Sequence, residues 1–265
     1  QKDAAPADSR RPLAGVRVLA AEQMQALPFA TQLLAQLGAE VVKVEPPGRG
    51  ETGRASNPFL VDEQGRKVGA TYLRNNLSKR SVAIDLKHEA GVALFRRLVP
   101  HFDVVAENFR AGSMAALGLG YDALAALHPA LVYLSLSGFG NLEASPYARW
   151  PAFAPIAEAM GGLYEPTKKP GQPPPVVVAG ALGDISTALF GVIGTLAALR
   201  NRDATGLGQY VDVAMYDSMM AMTDMVPFLW SMGAPASMAG PGSTALVGAF
   251  AARDGHFVVA VFREP

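Results

Sequence analysis

The stretch Pro175–Met215 constrains this chain more than any other. It holds a β-branched run at Val176–Val178, a turn punctuated by Gly180 and Gly183, and an apolar-periodic run through Ile185, Leu189, Val192, Leu196 and Leu199. β-Branched runs bounded by glycine read as strands, and apolar residues at three- and four-residue spacing read as one face of a helix. The helix is expected to end near Asn201, and Thr205, Gly206 and Gly208 turn the chain into a second strand, Gln209–Val213. A strand, helix, strand unit of this kind belongs in a parallel sheet with helices on its faces. Asp184 opens the helix, a position where Asp ordinarily does no more than cap exposed amides.

The same unit recurs along the chain. Strand Val16–Ala20 leads through a loop with Gln23, Met24 and Gln25 into helix Pro28–Leu37 and strand Val41–Glu45. Gly48–Gly69 is rich in Gly, Pro and charge and reads as a surface excursion. The polar, basic loop Asn75–Arg80 feeds another strand, followed by helix His88–Leu98, strand Asp103–Ala106, helix Tyr121–Leu127, strand Leu131–Leu136 and helix Pro151–Met160. The fold class is therefore α/β, a Rossmann-like open parallel sheet flanked by helices. No G-x-G-x-x-G turn follows the first strand, so a dinucleotide site of the usual kind is not supported. Tyr216–Met232 reads as an apolar helix whose methionines suit a gap-filling core or an adaptable pocket. Ala249–Ala252 and Phe257–Phe262 around Asp254-Gly255 read as a β-hairpin.

Composition removes several function classes. Among 265 residues, 23 basic side chains balance 23 acidic ones, which gives no electrostatic reason to expect nucleic acid or an anionic membrane as partner. There is no cysteine, so thiolate catalysis, disulfides and Cys-ligated metal are excluded. The four histidines, His88, His101, His128 and His256, read as surface or helix-end residues, and no metal site is expected. Without an apolar span of membrane length or a charged-then-apolar leader, a cytoplasmic location is expected.

Wording adds what spacing does not. The run Gly180-Ala181-Leu182-Gly183-Asp184 with its ending LAALRNRDATGLGQYVDVAM, the opening LPFATQLLAQLGAEVVKVEPP, the turn Glu107-Asn108-Phe109 and the turn Ser137-Gly138-Phe139-Gly140 resemble the family III CoA-transferases, the group of formyl-CoA:oxalate and carnitine CoA-transferases. The resemblance covers nearly everything from Pro12 to Phe262. It implies a CoA-transferase that moves CoA from an acyl-CoA to an acceptor carboxylic acid, with Asp184 as nucleophile and Gln25 beside the reacting thioester. Coenzyme A, entering as acyl-CoA, is the implied cofactor. The residues implied to bind it are Gln25, Ala26, Asn75, Asn76, Ser78, Lys79, Arg80, Asn108, Phe109, Arg110, Phe153 and Ala154, with Arg74 a further phosphate contact.

Gly240 and Gly242 match a mobile glycine segment over the family's active site. Ala116 stands where several relatives carry an Arg that touches the nucleotide. The position of the acid/base His in the related acyl-CoA racemases is Phe153 here, and a phenyl ring cannot move a proton. A racemase on the same scaffold and a non-catalytic CoA-binding subunit are the alternatives. Residues 1–12, polar and proline-containing, read as a flexible tail, and the resemblance further implies an interlocked homodimer, a large CoA-binding domain over 13–225, and a linker with the start of a small domain over 226–265. Relatives continue beyond that point.

Overall fold

In the computed structural model, which describes residues 11–142, 145–176, 180–234 and 245–262, every residue of β1 (Arg17–Ala21) after the first is apolar and buried. Val18 and Ala20 face one apolar layer, and Leu19 and Ala21 the other. A strand buried on both faces in this way belongs at the centre of a doubly covered sheet. Helix α1 (Ala26–Gln36) returns the chain to β2 (Glu40–Glu45) alongside β1. A short antiparallel hairpin, β3 (Phe59–Val61) and β4 (Lys67–Gly69), makes up much of the surface excursion. Helix α2 (Ala70–Asn75) then leads to β5 (Lys79–Ala83).

After α3 (Glu89–Leu98), β6 (Val104–Glu107) pairs with the other side of β1. His88 caps α3, its Nδ1 accepting from the Ala90 amide at 3.2 Å. Two short helices, α4 (Ser113–Ala116) and α5 (Tyr121–Ala125), precede β7 (Val132–Ser137). Helix α6 (Ala154–Met160) and the long α7 (Leu182–Thr205) lead to β8 (Tyr210–Ala214). The sheet runs β5-β2-β1-β6-β7-β8, and its strands pair in parallel throughout. The order reverses between β1 and β6, and crevices outside the carboxyl ends of such a reversal are where open α/β sheets bind ligands.

Helix α7 lies against β7 and β8 so closely that a Cβ on Gly194 would meet Val211 Cγ1 at 2.6 Å. It runs past Asn201 to Thr205 and stops at Gly206, whose φ of +77° suits glycine at a helix end. The 24-residue α7, with a mean hydropathy of 1.6 over its most apolar 18 residues, is long and apolar enough to cross a membrane, which corrects the expectation that no such stretch exists. Half of that span is buried inside the protein, where it packs on the sheet and α1.

Two further expectations change. Val176 is exposed and outside any strand, while Val177 and Val178 lie outside the described residues. The apolar helix expected over Tyr216–Met232 is two helices, α8 (Met215–Met222) and α9 (Met225–Ser231), broken at Thr223-Asp224. On α8, Met219 is fully buried in the core. The hairpin at the end of the chain is present as β9 (Ala245–Ala251) and β10 (His256–Phe262).

Candidate active site

Asp184 is the third residue of α7, three positions beyond the cap rather than at the cap position expected for it. The cap is Ala181, held at φ +53°, a left-handed conformation that costs a residue with a Cβ about 1–3 kcal/mol. No side chain at that position satisfies the first-turn amides. Instead the Gly183 amide donates to Glu158 Oε1 at 3.0 Å, and the other oxygen of Glu158 accepts from the Tyr164 hydroxyl. Glu158 is 2% exposed and projects from α6. A Cβ on Gly183 would stand 2.9 Å from Ala154 Cα, so the starts of α6 and α7 touch backbone to backbone. Ala154, implied as a CoA contact, is buried beneath this junction and does not line the cleft described below.

The surroundings of Asp184 disfavour its charge. Burial first, and then the neighbouring Glu158 carboxylate, push its carboxyl from 3.8 up to about 6, while the Arg74 guanidinium pulls the other way. Asp184 is thus ionised at neutral pH but more basic than an ordinary aspartate.

Gln25 reaches the same place from the other side of the sheet reversal. It caps α1 directly after Met24, which is held at φ +61°. Three side chains fix this bend. Glu51 Oε2 accepts from the Met24 amide at 3.0 Å, and Asn75 Nδ2 donates to the Met24 carbonyl at 3.5 Å. Asn108 grips Gln23 twice, accepting from its amide and donating to its carbonyl, each at 2.9 Å. An Arg74 Nη donates to Gln25 Oε1. Because arginine carries donors alone, the Gln25 oxygen faces Arg74, and its NH₂ has no partner among the described residues.

Asp184, Gln25, Ala26, Asn108, Phe109, Arg110 and Phe153 line one cleft of about 280 Å³, with Met215 and the Ser137-Gly138 turn along its wall. The Asn108 side chain contributes to that wall with both polar ends already engaged by Gln23. The preceding Glu107 folds the turn, accepting from the Phe109 amide at 2.8 Å and the Ser135 hydroxyl at 2.5 Å.

The basic loop is placed differently from expectation. Lys79 has a side chain only 2% exposed and donates to Glu22 Oε1 and the Pro28 carbonyl, each at 2.7 Å, and to Asn76 Oδ1 at 3.3 Å. An ammonium has three donors, so none is left for a phosphate. Asn76 also accepts from the buried Lys43 at 2.9 Å, and Asn75 is 1% exposed behind Met24. Arg80 pairs with Glu40 at 3.0 Å, at the amino ends of the strands and therefore opposite the cleft. Ser78 is exposed at φ +63° and does not line the cleft. Gly240 and Gly242 lie outside the described residues. Among the described residues no three His, Asp or Glu side chains gather as a metal site.

A second cavity of about 470 Å³ shares Gln23 and Phe109 with the first and opens over the ends of β2 and β5. Arg49 and Lys87 line it. Both are exposed, and neither pairs with a carboxylate among the described residues.

The sequence pattern of CoA-transferase family III matches residues 13–265. The chain belongs to CoA-transferase family III. Relatives in the family include the succinyl-CoA:mesaconate CoA-transferase of Haloarcula hispanica, 40% identical over 94% of this chain and 64% of that protein. The succinyl-CoA–D-citramalate CoA-transferase of Chloroflexus aurantiacus is 43% identical over 82% of this chain and 52% of that protein. The chain thus spans between half and two-thirds of the length of these relatives. Among solved structures, a CaiB/BaiF family protein from Brucella suis superposes with a TM-score of 0.82 at 35% identity, covering 94% of this chain and 66% of that one.

Family likeness at the sequence level did not single out Glu158, Arg49 or Lys87. Glu158 is the one charged residue of the otherwise apolar run Ala154–Met160, a signal that a buried partner awaits it. Arg49 and Lys87 each follow closely on the carboxyl end of a sheet strand, where ligands gather.

Proposed function

We propose that this chain carries the CoA-binding and catalytic part of a CoA-transferase that moves CoA from an acyl-CoA to a carboxylic acid through Asp184. The observation that carries this reading is one cleft lined by both a partly buried, unusually basic carboxylate and a glutamine whose NH₂ is unpartnered among the described residues.

The chemistry follows from that pairing. An Asp184 oxygen attacks the thioester carbonyl, the C–S bond breaks, and CoA leaves as thiolate from a mixed anhydride. The thiolate then attacks the Asp184 carbonyl, releasing the donor acid as carboxylate and leaving an aspartyl-CoA thioester. The acceptor carboxylate attacks that thioester, and the returning thiolate captures the acceptor acyl group and frees Asp184. Each step exchanges one carboxylate for one thiolate, so no proton is consumed.

An ordinary Asp (about 3.9) and a thiol (about 8.5) differ by about 4.6 units, or roughly 6 kcal/mol against thiolate release. With Asp184 near 6 the gap narrows to about 2.5 units, roughly 3.4 kcal/mol. A donor on the developing oxyanion supplies about 3 kcal/mol, a role the unpartnered Gln25 NH₂ would fill.

The pantetheine arm of CoA would run along Ala26, Asn108 and Phe109. The nucleotide would lie in the adjoining cavity, with Arg49 and Lys87 taking phosphate contacts in place of Lys79 and Arg80. Both relatives named above act on dicarboxylic acids and succinyl-CoA, which supports dicarboxylic substrates here. A homodimer, a cytoplasmic setting and a lid over the cleft complete the proposal, the lid serving to keep water from the anhydride. The test is CoA exchange by the full-length protein between succinyl-CoA and dicarboxylic acids. Asp184→Ala is expected to abolish exchange, and near-normal turnover in that variant would end the proposal.

A further inference from the structure

We propose that Arg74 recognises the second, non-reacting carboxylate of a dicarboxylic substrate, and so sets the class of acid the cleft accepts. The assignment rests on the transferase reading above.

Arg74 is in the last turn of α2, outside the sheet, and leans across to the loop that carries Gln25. Its contact with Gln25 Oε1 fixes the guanidinium at the edge of the cleft and uses only part of a five-donor fork. The residue is exposed and forms no ion pair among the described residues, unlike Arg54, Arg66, Arg80 and Arg202. A guanidinium held in place with its remaining donors open is the arrangement that binds a carboxylate bidentately.

The charges around the cleft ask for such a group. Asp184 from α7 lies in its lining, the carboxylate of Glu158 from α6 is buried behind it, and Arg110 from the turn after β6 is on its wall. A dicarboxylate entering this space meets repulsion from these two carboxylates. Arg74, whose field reaches Asp184, offsets it. The Gln25 amide also orders the two ends of the substrate. Its oxygen is turned to Arg74 and its NH₂ away, so a reacting carbonyl on the NH₂ side leaves the far carboxylate on the Arg74 side.

The experiment uses full-length protein with one acyl-CoA donor and acceptors matched in length, succinate against butyrate and glutarate against pentanoate. For wild type and for Arg74→Met and Arg74→Lys, the quantity read is the ratio of kcat/KM between dicarboxylate and monocarboxylate. Arg74→Met is expected to lower that ratio about 100-fold, the loss typical of an unpaired carboxylate at a charge-assisted site, and Arg74→Lys to lower it less. An unchanged ratio, with both acid classes slowed equally, would overturn the assignment and leave Arg74 as a support for Gln25. A wild type inert toward all four acids would overturn the transferase reading and this assignment with it.

Discussion

Glu158 Oε1 lies 3.0 Å from the Gly183 amide, one residue before Asp184. A single buried carboxylate thereby anchors the first turn of α7 and charges the surroundings of the proposed nucleophile. Replacing it with Gln keeps an acceptor for Gly183 and removes the charge. The Asp184 carboxyl should then titrate lower, and the acid limb of the pH profile of kcat/KM, expected near 6, should move down by about half to one unit. Turnover at neutral pH should fall a few-fold as the nucleophile weakens. Profiles of wild type and Glu158→Gln measured between pH 4.5 and 8 check this, and superimposable acid limbs would argue against it.

Asp184 also bears on stability. Its folded-state value is raised from 3.8 to about 6, so the native state holds more protons than the unfolded chain between those values. Stability therefore falls as pH rises through that window, and the penalty is complete above it. Asp184→Asn should relieve at most about 3 kcal/mol above pH 7, raising Tm by several degrees, with the gain vanishing near pH 4. Thermal melts of both proteins at pH 4 and pH 8 read the difference directly. Such a cost in stability is what the proposed role of Asp184 predicts, since a charge held for chemistry is retained at the expense of stability.

Lys79 separates two roles cleanly. Buried against Glu22 at 2.7 Å, it belongs to a cluster with Lys43 and Glu51 that backs the Met24–Gln25 loop. Lys79→Ala leaves Glu22 with less compensation and should cost about 3–5 kcal/mol of stability. Loss of Tm in denaturation melts is the expected result. An unchanged Tm with a raised KM for acyl-CoA would instead restore Lys79 as a phosphate ligand.

Gly183 has no room for a side chain, since a Cβ would lie 2.9 Å from Ala154 Cα and 3.1 Å from the Ala154 carbonyl oxygen. Gly183→Ala must shift the start of α7 and with it Asp184. Misplacing a reacting group by about 1 Å can cost ~100-fold in rate. CoA exchange should drop by that order in a protein that still melts cooperatively.

Much of the sheet was readable from residues alone, because strands such as Val104–Glu107 and Val132–Ser137 are short, apolar and bounded by turns. Their bounds differ from expectation by a residue or so. The site was less legible where tertiary contacts decide. Asp184 reads as a cap until Glu158, far back in the chain, is seen to hold the adjoining amide. Lys79 and Arg80 are neighbours of like charge, yet one turns inward and the other to the opposite rim, and pattern alone does not assign the faces of an edge strand. Arg74 was grouped with them because the short helix α2, which carries it back over Gln25, leaves no periodic signal in so few residues.

The most direct measurement is a single turnover of the full-length protein with acyl-CoA and no acceptor acid, quenched, digested and read by mass spectrometry. CoA joined through a thioester to the peptide containing Asp184, and lost on adding an acceptor acid, is the predicted result. Continued CoA transfer with no adduct on that peptide would contradict a covalent role for Asp184.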